Sequence, residues 1–212
     1  AANSWQNSDF TVQYDATDTN ISTCSFYIVD GGLISDERHG IGYCGVNETQ
    51  DIDISEFCTT GGSGQCIVAI FAYDESGRSS YTIRYFGIDI HDPSTSADNA
   101  SSSWFSSRTT ELSVTDIGGS TVDQARYSWD SNPMNASCTS GGSTFTDGIV
   151  LSVPEGSHRL YLCARDGAGN TSTWDSGPDQ YRVDSTFPRL DTFSADRTTL
   201  NNNNPTVEFS WT

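Results

Sequence analysis

The chain has 212 residues, 34% of them apolar, and 28 acids against 10 bases give a formal charge of −18. Every base is Arg, and Lys is absent. Phosphate contacts need clustered cations, so this balance argues against nucleic acid and against an anionic membrane surface as partners. Without Lys, no Lys–Asn isopeptide bond and no Lys-borne subunit linkage can form. The length suits two domains of about 100 residues, each with its own core. Acidity of this size keeps an extracellular protein hydrated and attracts divalent cations.

In chain order, strand signals are frequent and helical ones nearly absent. Phe10-Thr11-Val12-Gln13-Tyr14 alternates apolar and polar, as do Cys24–Ile28 and Asp51–Ile54. Cys66–Tyr73 is apolar on both faces, the pattern of a central strand. Tyr81–Tyr85 and Phe86–Ile90 close a first unit. A second unit repeats the order with Glu111–Val114, Ala125–Trp129, Ile149–Val153, His158–Ala164 and Gln180–Val183.

Three markers recur at nearly one spacing. Asp74 and Asp166, each in an Asp-x-x-Gly loop, are 92 residues apart (166 minus 74). Trp5 and Trp104, each opening a strand-like run, are 99 apart (104 minus 5), and Asp89 and Asp184 are 95 apart (184 minus 89). A repeat of this size is one small all-β domain. Pro93 and Pro188 follow the last strand of each unit, so the domains are expected at 1–92 and 93–188.

The first unit starts almost directly at its second-strand pattern and lacks an obvious opening strand. Residues 189–212 read as the first two strands of a third unit, with Leu190 and Phe193 in one and Val207, Phe209 and Trp211 on one face of the other. The first residue is Ala rather than Met, as in a processed chain or an excerpt, so the lack of a leader does not point to the cytoplasm.

The strings Cys24-Ser25-Phe26-Tyr27-Ile28-Val29-Asp30-Gly31-Gly32, Leu160-Tyr161-Leu162-Cys163-Ala164-Arg165-Asp166-Gly167-Ala168-Gly169-Asn170-Thr171-Ser172 and Tyr181-Arg182-Val183-Asp184-Ser185-Thr186-Phe187-Pro188 carry a resemblance. They resemble the immunoglobulin-like tandem repeats of prokaryotic cell-surface proteins and large adhesins. The second unit matches over nearly its full length; the first departs at Glu75–Arg78 and carries an insertion around Leu33–Tyr43. The resemblance implies an all-β chain of tandem immunoglobulin-like sandwiches at the cell surface, and it says little about ligand.

Six Cys without paired short spacings read as disulfides rather than a zinc site. Cys138 and Cys163 are the two in the second unit. In the first, Cys58 and Cys66 flank a Gly/Ser turn, leaving Cys24 with Cys44; four Cys allow three connectivities, and this one is preferred. The Asp-x-x-Gly loops read as turns in which Asp accepts backbone N–H bonds. Carboxylates at the boundaries, Asp89, Asp92 and Asp184, are candidate calcium ligands that would stiffen the joint, as in cadherin-like arrays. Asp15–Asp18 and Asp51–Asp53 read equally as solvated faces. Sequons stand at Asn20, Asn47, Asn99, Asn135 and Asn170, the last least suited because its side chain serves the turn.

His39, His91 and His158 are the only histidines, and no nucleophile elbow or phosphate-binding Gly loop accompanies them, so the chain is read as no enzyme. The expected role is structural: a segment of an extracellular filament, stalk or adhesin. Donor-strand assembly would insert Leu190–Thr212 into the first domain of the next copy, head to tail. The alternative is a carbohydrate- or ligand-binding module using an aromatic platform drawn from Trp5, Trp104, Trp129, Trp174 and Trp211, with Trp174 expected in an exposed loop.

Overall fold

The computed structural model describes residues 4–30, 38–42, 44–58, 62–189, 194–195 and 209–210; of these, 38–42, 62–65, 194–195 and 209–210 are described by backbone alone. The first unit comprises β1 (Ser4–Gln6), β2 (Phe10–Tyr14), β3 (Ile21–Asp30), β4 (Arg38–Gly42), β5 (Glu48–Ile52), α1 (Ile54–Phe57), β6 (Gly62–Asp74) and β7 (Ser79–Ile88). The second comprises β8 (Ser94–Ala97), β9 (Trp104–Phe105), β10 (Thr109–Thr115), β11 (Val122–Trp129), β12 (Ser143–Thr144), β13 (Ile149–Ser152), β14 (Gly156–His158), β15 (Leu160–Asp166), β16 (Thr171–Asp175) and β17 (Tyr181–Val183). Two short strands follow, β18 (Ser194–Ala195) and β19 (Phe209–Ser210).

The chain is all-β, two immunoglobulin-like sandwiches in tandem. In the first unit, the sheet β1-β7-β6-β3-β4 faces the pair β2-β5. In the second, β12-β11-β15-β16 faces β13-β10-β8, and β14-β17-β9 continues one edge. Each face-to-face pair encloses one core, as alternating strands require. Val12, Phe26, Ile28, Ile52, Val68, Ile70 and Ile88 make the first. Leu112, Val114, Phe145, Leu160, Leu162, Tyr181 and Val183 make the second.

The Trp marker has a structural meaning. β1 pairs in parallel with the end of β7, Trp5 opposite Gly87, and β9 pairs in parallel with β17, Trp104 opposite Arg182. Gly87 is needed here, because a Cβ would lie 2.5 Å from the Trp5 ring.

Several expectations are corrected. The strand expected over Asp51–Ile54 stops at Ile52, because Asp53 caps α1, its Oδ1 accepting from the N–H groups of Ser55 (2.9 Å) and Glu56 (3.2 Å). The two strands expected between Tyr81 and Ile90 are one continuous β7. Trp174 lies in β16, half-buried against the second core, and not in an exposed loop.

The structure joins Cys24 to Cys44, Cys58 to Cys66 and Cys138 to Cys163. The last closes 25 residues onto β15, a loop whose closure contributes about 3 kcal/mol. Three disulfides fit an oxidising compartment.

Candidate functional site

Two places stand out, a groove on the first unit and a carboxylate cluster where the units meet. The groove follows from a difference between the sandwiches. In the second unit, β8 pairs antiparallel with β10, Ala97 opposite Leu112 and Thr95 opposite Val114. Thr95 and Pro93 turn inward there, 8% and under 2% exposed. The end of β8 is fixed by Asp98, whose carbonyl accepts from the hydroxyls of Tyr181 (2.8 Å) and Thr110 (2.9 Å).

In the first unit, β2 takes the place of β10, and among the described residues it pairs with β5 alone. Its other edge borders a groove of about 350 Å³ between Val12–Asp15 and Val68, Ile70, Thr82 and Arg84. A second hollow of about 260 Å³ continues it past Ala16 and Thr17, along Ala72 and Ser80. Val12, Val68 and Ile70 belong to the first core, so the groove opens onto core side chains.

The second place is built by three loops. Asp89 directly follows β7, Asp116 follows β10, and Asp166 ends β15. One carboxylate oxygen from each lies within 4.8 Å of the other two. Asp89 is 1% exposed and Asp166 is fully buried. Asp166 Oδ1 accepts from the amides of Ala168, Gly169 and Asn170 at 2.7–2.9 Å, and its Oδ2 accepts from Asn170 Nδ2. Asn170 Nδ2 also donates to the Asp89 carbonyl at 2.8 Å, tying the second unit's turn to the end of the first unit.

Asp89 Oδ1 accepts from the His91 amide, and Oδ2 from the Ser120 amide, both at 3.0 Å. Burial pushes the Asp89 carboxyl up, but the bonds from Ser120 and His91 outweigh it and hold the group below the usual carboxylate range. Asp116 Oδ1 accepts from the Gly118 amide at 3.2 Å.

Of the expected boundary ligands, only Asp89 belongs to this cluster. Asp92 and Asp184 are exposed, and Asp184 caps its own turn by accepting from the Thr186 amide. The partners are Asp116 and Asp166 instead. Asp74, the counterpart of Asp166, serves as a turn cap, accepting from Ser76 and Arg78.

Asn20, Asn47, Asn99 and Asn135 are exposed. Asn135 spends its side chain on Thr139 and Ser140, and Asn170 spends its own on Asp89 and Asp166. His91 is exposed at the joint, and His158 is paired with Asp130. Leu190, Phe193, Val207 and Trp211 lie outside the described residues, and Phe209 is described by backbone alone.

Sequence reasoning missed one aromatic surface. Tyr27, Phe71 and Tyr81 adjoin on the outer face of β3, β6 and β7, with ring centroids 5.2 and 5.3 Å apart. Tyr81 is 64% exposed. The register that places Ser25 and Tyr81 on either side of Phe71 was not readable from composition.

No family model matches the chain, and no curated protein matches it in sequence. Among solved structures, it is similar to the fibronectin(III)-like modules of Clostridium thermocellum CbhA, at 12% identity and TM-score 0.42 over 82% of this chain and 85% of that one. It is also similar to murine CEACAM1b, at 11% identity and TM-score 0.43 over 86% and 94%. The fold class rests on the strand pairings above.

Proposed function

We propose that this chain is a structural segment of an extracellular filament, stalk or adhesin, joined head to tail by donor-strand complementation. The observation that carries the reading is the edge of β2 above the core groove, which has no strand partner among the described residues, at the place β8 fills in the second unit. A strand added there gains main-chain hydrogen bonds and covers Val12, Val68 and Ile70.

The occupant is residues 190–212 of a second copy. Ser194-Ala195-Asp196 repeats Ser96-Ala97-Asp98 at a distance of 98 residues (196 minus 98). β18 pairs with β19, Ala195 opposite Phe209, much as β8 pairs with β10, Ala97 opposite Leu112. By this repeat Phe193 corresponds to the inward Thr95, with a larger, apolar side chain. To stand against β2 as β8 stands against β10, β18 exchanges its partner β19 for β2 of the next copy.

Electron microscopy of the assembled chain tests the reading. Regular filaments should form, and both deletion of Leu190–Thr212 and Phe193→Asp should abolish them. Filaments that persist after the deletion sink the proposal.

A second reading, a ligand-binding face for glycans, is favoured by the Tyr27–Phe71–Tyr81 surface, where the exposed Tyr81 ring stacks on the half-buried Phe71 and offers an apolar face to a sugar. Tyr81→Ala should then remove glycan binding on an array, while Trp174→Ala acts through the core and lowers stability.

A further inference from the structure

The cluster at the joint is not explained by turn formation. Three carboxylate oxygens within 4.8 Å repel one another, and the burial of Asp89 and Asp166 removes the water that would screen them. Among the described ion pairs, the basic group nearest the cluster is His91, 3.9 Å from Asp89 Oδ1, and its side chain is 58% exposed. An exposed imidazole does not neutralise three carboxylates.

Two oxygens point to what is held there. Asp116 Oδ2 is buried and has no hydrogen-bond partner. Ser120 is 6% exposed, and its Oγ is buried against the Asp89 carboxylate that its own amide grips, without a well-formed hydrogen bond. Leaving such acceptors unmatched is costly. A proton donor would satisfy one of them; a cation satisfies all at once.

We propose that Asp89, Asp116, Asp166 and Ser120 Oγ bind one calcium ion, which links the end of the first unit to two loops of the second. The donor set is entirely oxygen, the preference of a hard cation. Ligands at calcium's 2.3–2.6 Å are at most about 5 Å apart across the ion, and the observed oxygens lie inside that span. Water completes the coordination. Gly118 keeps the space open, since any Cβ there would meet the Asp89 carboxylate. The counterpart turn at Asp74 keeps two of those amide contacts, from Ser76 and Arg78, but belongs to no such cluster among the described residues, so it provides an internal control.

The test is calorimetric titration of calcium chloride into the metal-stripped full chain at fixed sodium chloride, with the melting temperature followed in parallel. One calcium per chain should bind and raise the melting temperature. Asp116→Asn keeps the oxygen that accepts from Gly118 but removes the charge; it should weaken binding by at least about tenfold, a loss that even supporting groups produce at metal sites. Asp74→Asn should bind as the unaltered chain does. Absence of binding at millimolar calcium overturns the proposal, as does Asp116→Asn binding with unchanged affinity. Should Asp116→Asn not fold, Ser120→Ala takes its place, and unchanged affinity there overturns the proposal equally. The outcome does not depend on filament assembly.

Discussion

The α-carbon of Gly118 sits so close to Asp89 that a Cβ on it would lie 1.6 Å from Oδ1 and 2.4 Å from Oδ2. The contact is with a carboxylate held by two backbone amides, so it cannot swing aside without breaking the bonds from His91 and Ser120. Gly118→Ala is therefore expected to destabilise the joint by about 2 kcal/mol or more, the sum of overpacking and two lost charge-assisted bonds. Hydrogen exchange checks this locally: the Ser120 and His91 amides should lose protection, while amides in β3 and β6 keep theirs.

Tyr181 is fully buried, and its hydroxyl donates to the Asp98 carbonyl while lying 3.2 Å from Thr110 Oγ1. The Arg108 guanidinium stands 5.0 Å from the ring. Tyr181→Phe keeps the ring and that contact but removes the hydroxyl that locks β8 in place. The expected loss is about 1–2 kcal/mol in urea unfolding, confined to the second unit.

His158 places both ring nitrogens on acceptors, Nδ1 2.7 Å from Asp130 Oδ2 and Nε2 2.8 Å from the Glu155 carbonyl. Only the imidazolium donates from both. Burial alone would lower its pKa, but the bonds to Asp130 and Glu155 prevail and raise it. A raised folded pKa means stability that is complete below the unfolded value near about 6.5 and lost as pH climbs through the folded value. His158→Gln should thus cost more at pH 5.5 than at pH 8.5, with a difference under about 1 kcal/mol because Asp130 is half exposed. Equal costs at the two pH values would refute it.

Strands with clear alternation, such as Phe10–Tyr14, were legible in the sequence because one face is buried and the other wet. β8 was not, because Ser94-Thr95-Ser96-Ala97 has no large apolar residue; its partners in β10 and the Asp98 lock hold it. Trp174 was misread because the turn closes at Asn170, and β16 begins one residue later. Asp89 and Asp92 are near one another in sequence, yet the fold brings Asp116 and Asp166 to Asp89 from loops far along the chain. Proximity of that kind is a property of loop ends meeting, and no local pattern records it.

The parallel pairing of β1 with the end of β7, repeated by β9 with β17, has a mechanical consequence. Opposed pulls on the two ends of a unit draw these strands along their own axes in opposite directions. The hydrogen bonds between them are then loaded together in shear rather than opened one after another. Rupture needs them to fail at once, and resistance to such pulling is governed by the rate of that step. A tether built from these units would bear load at Trp5 and Trp104 before its cores felt it.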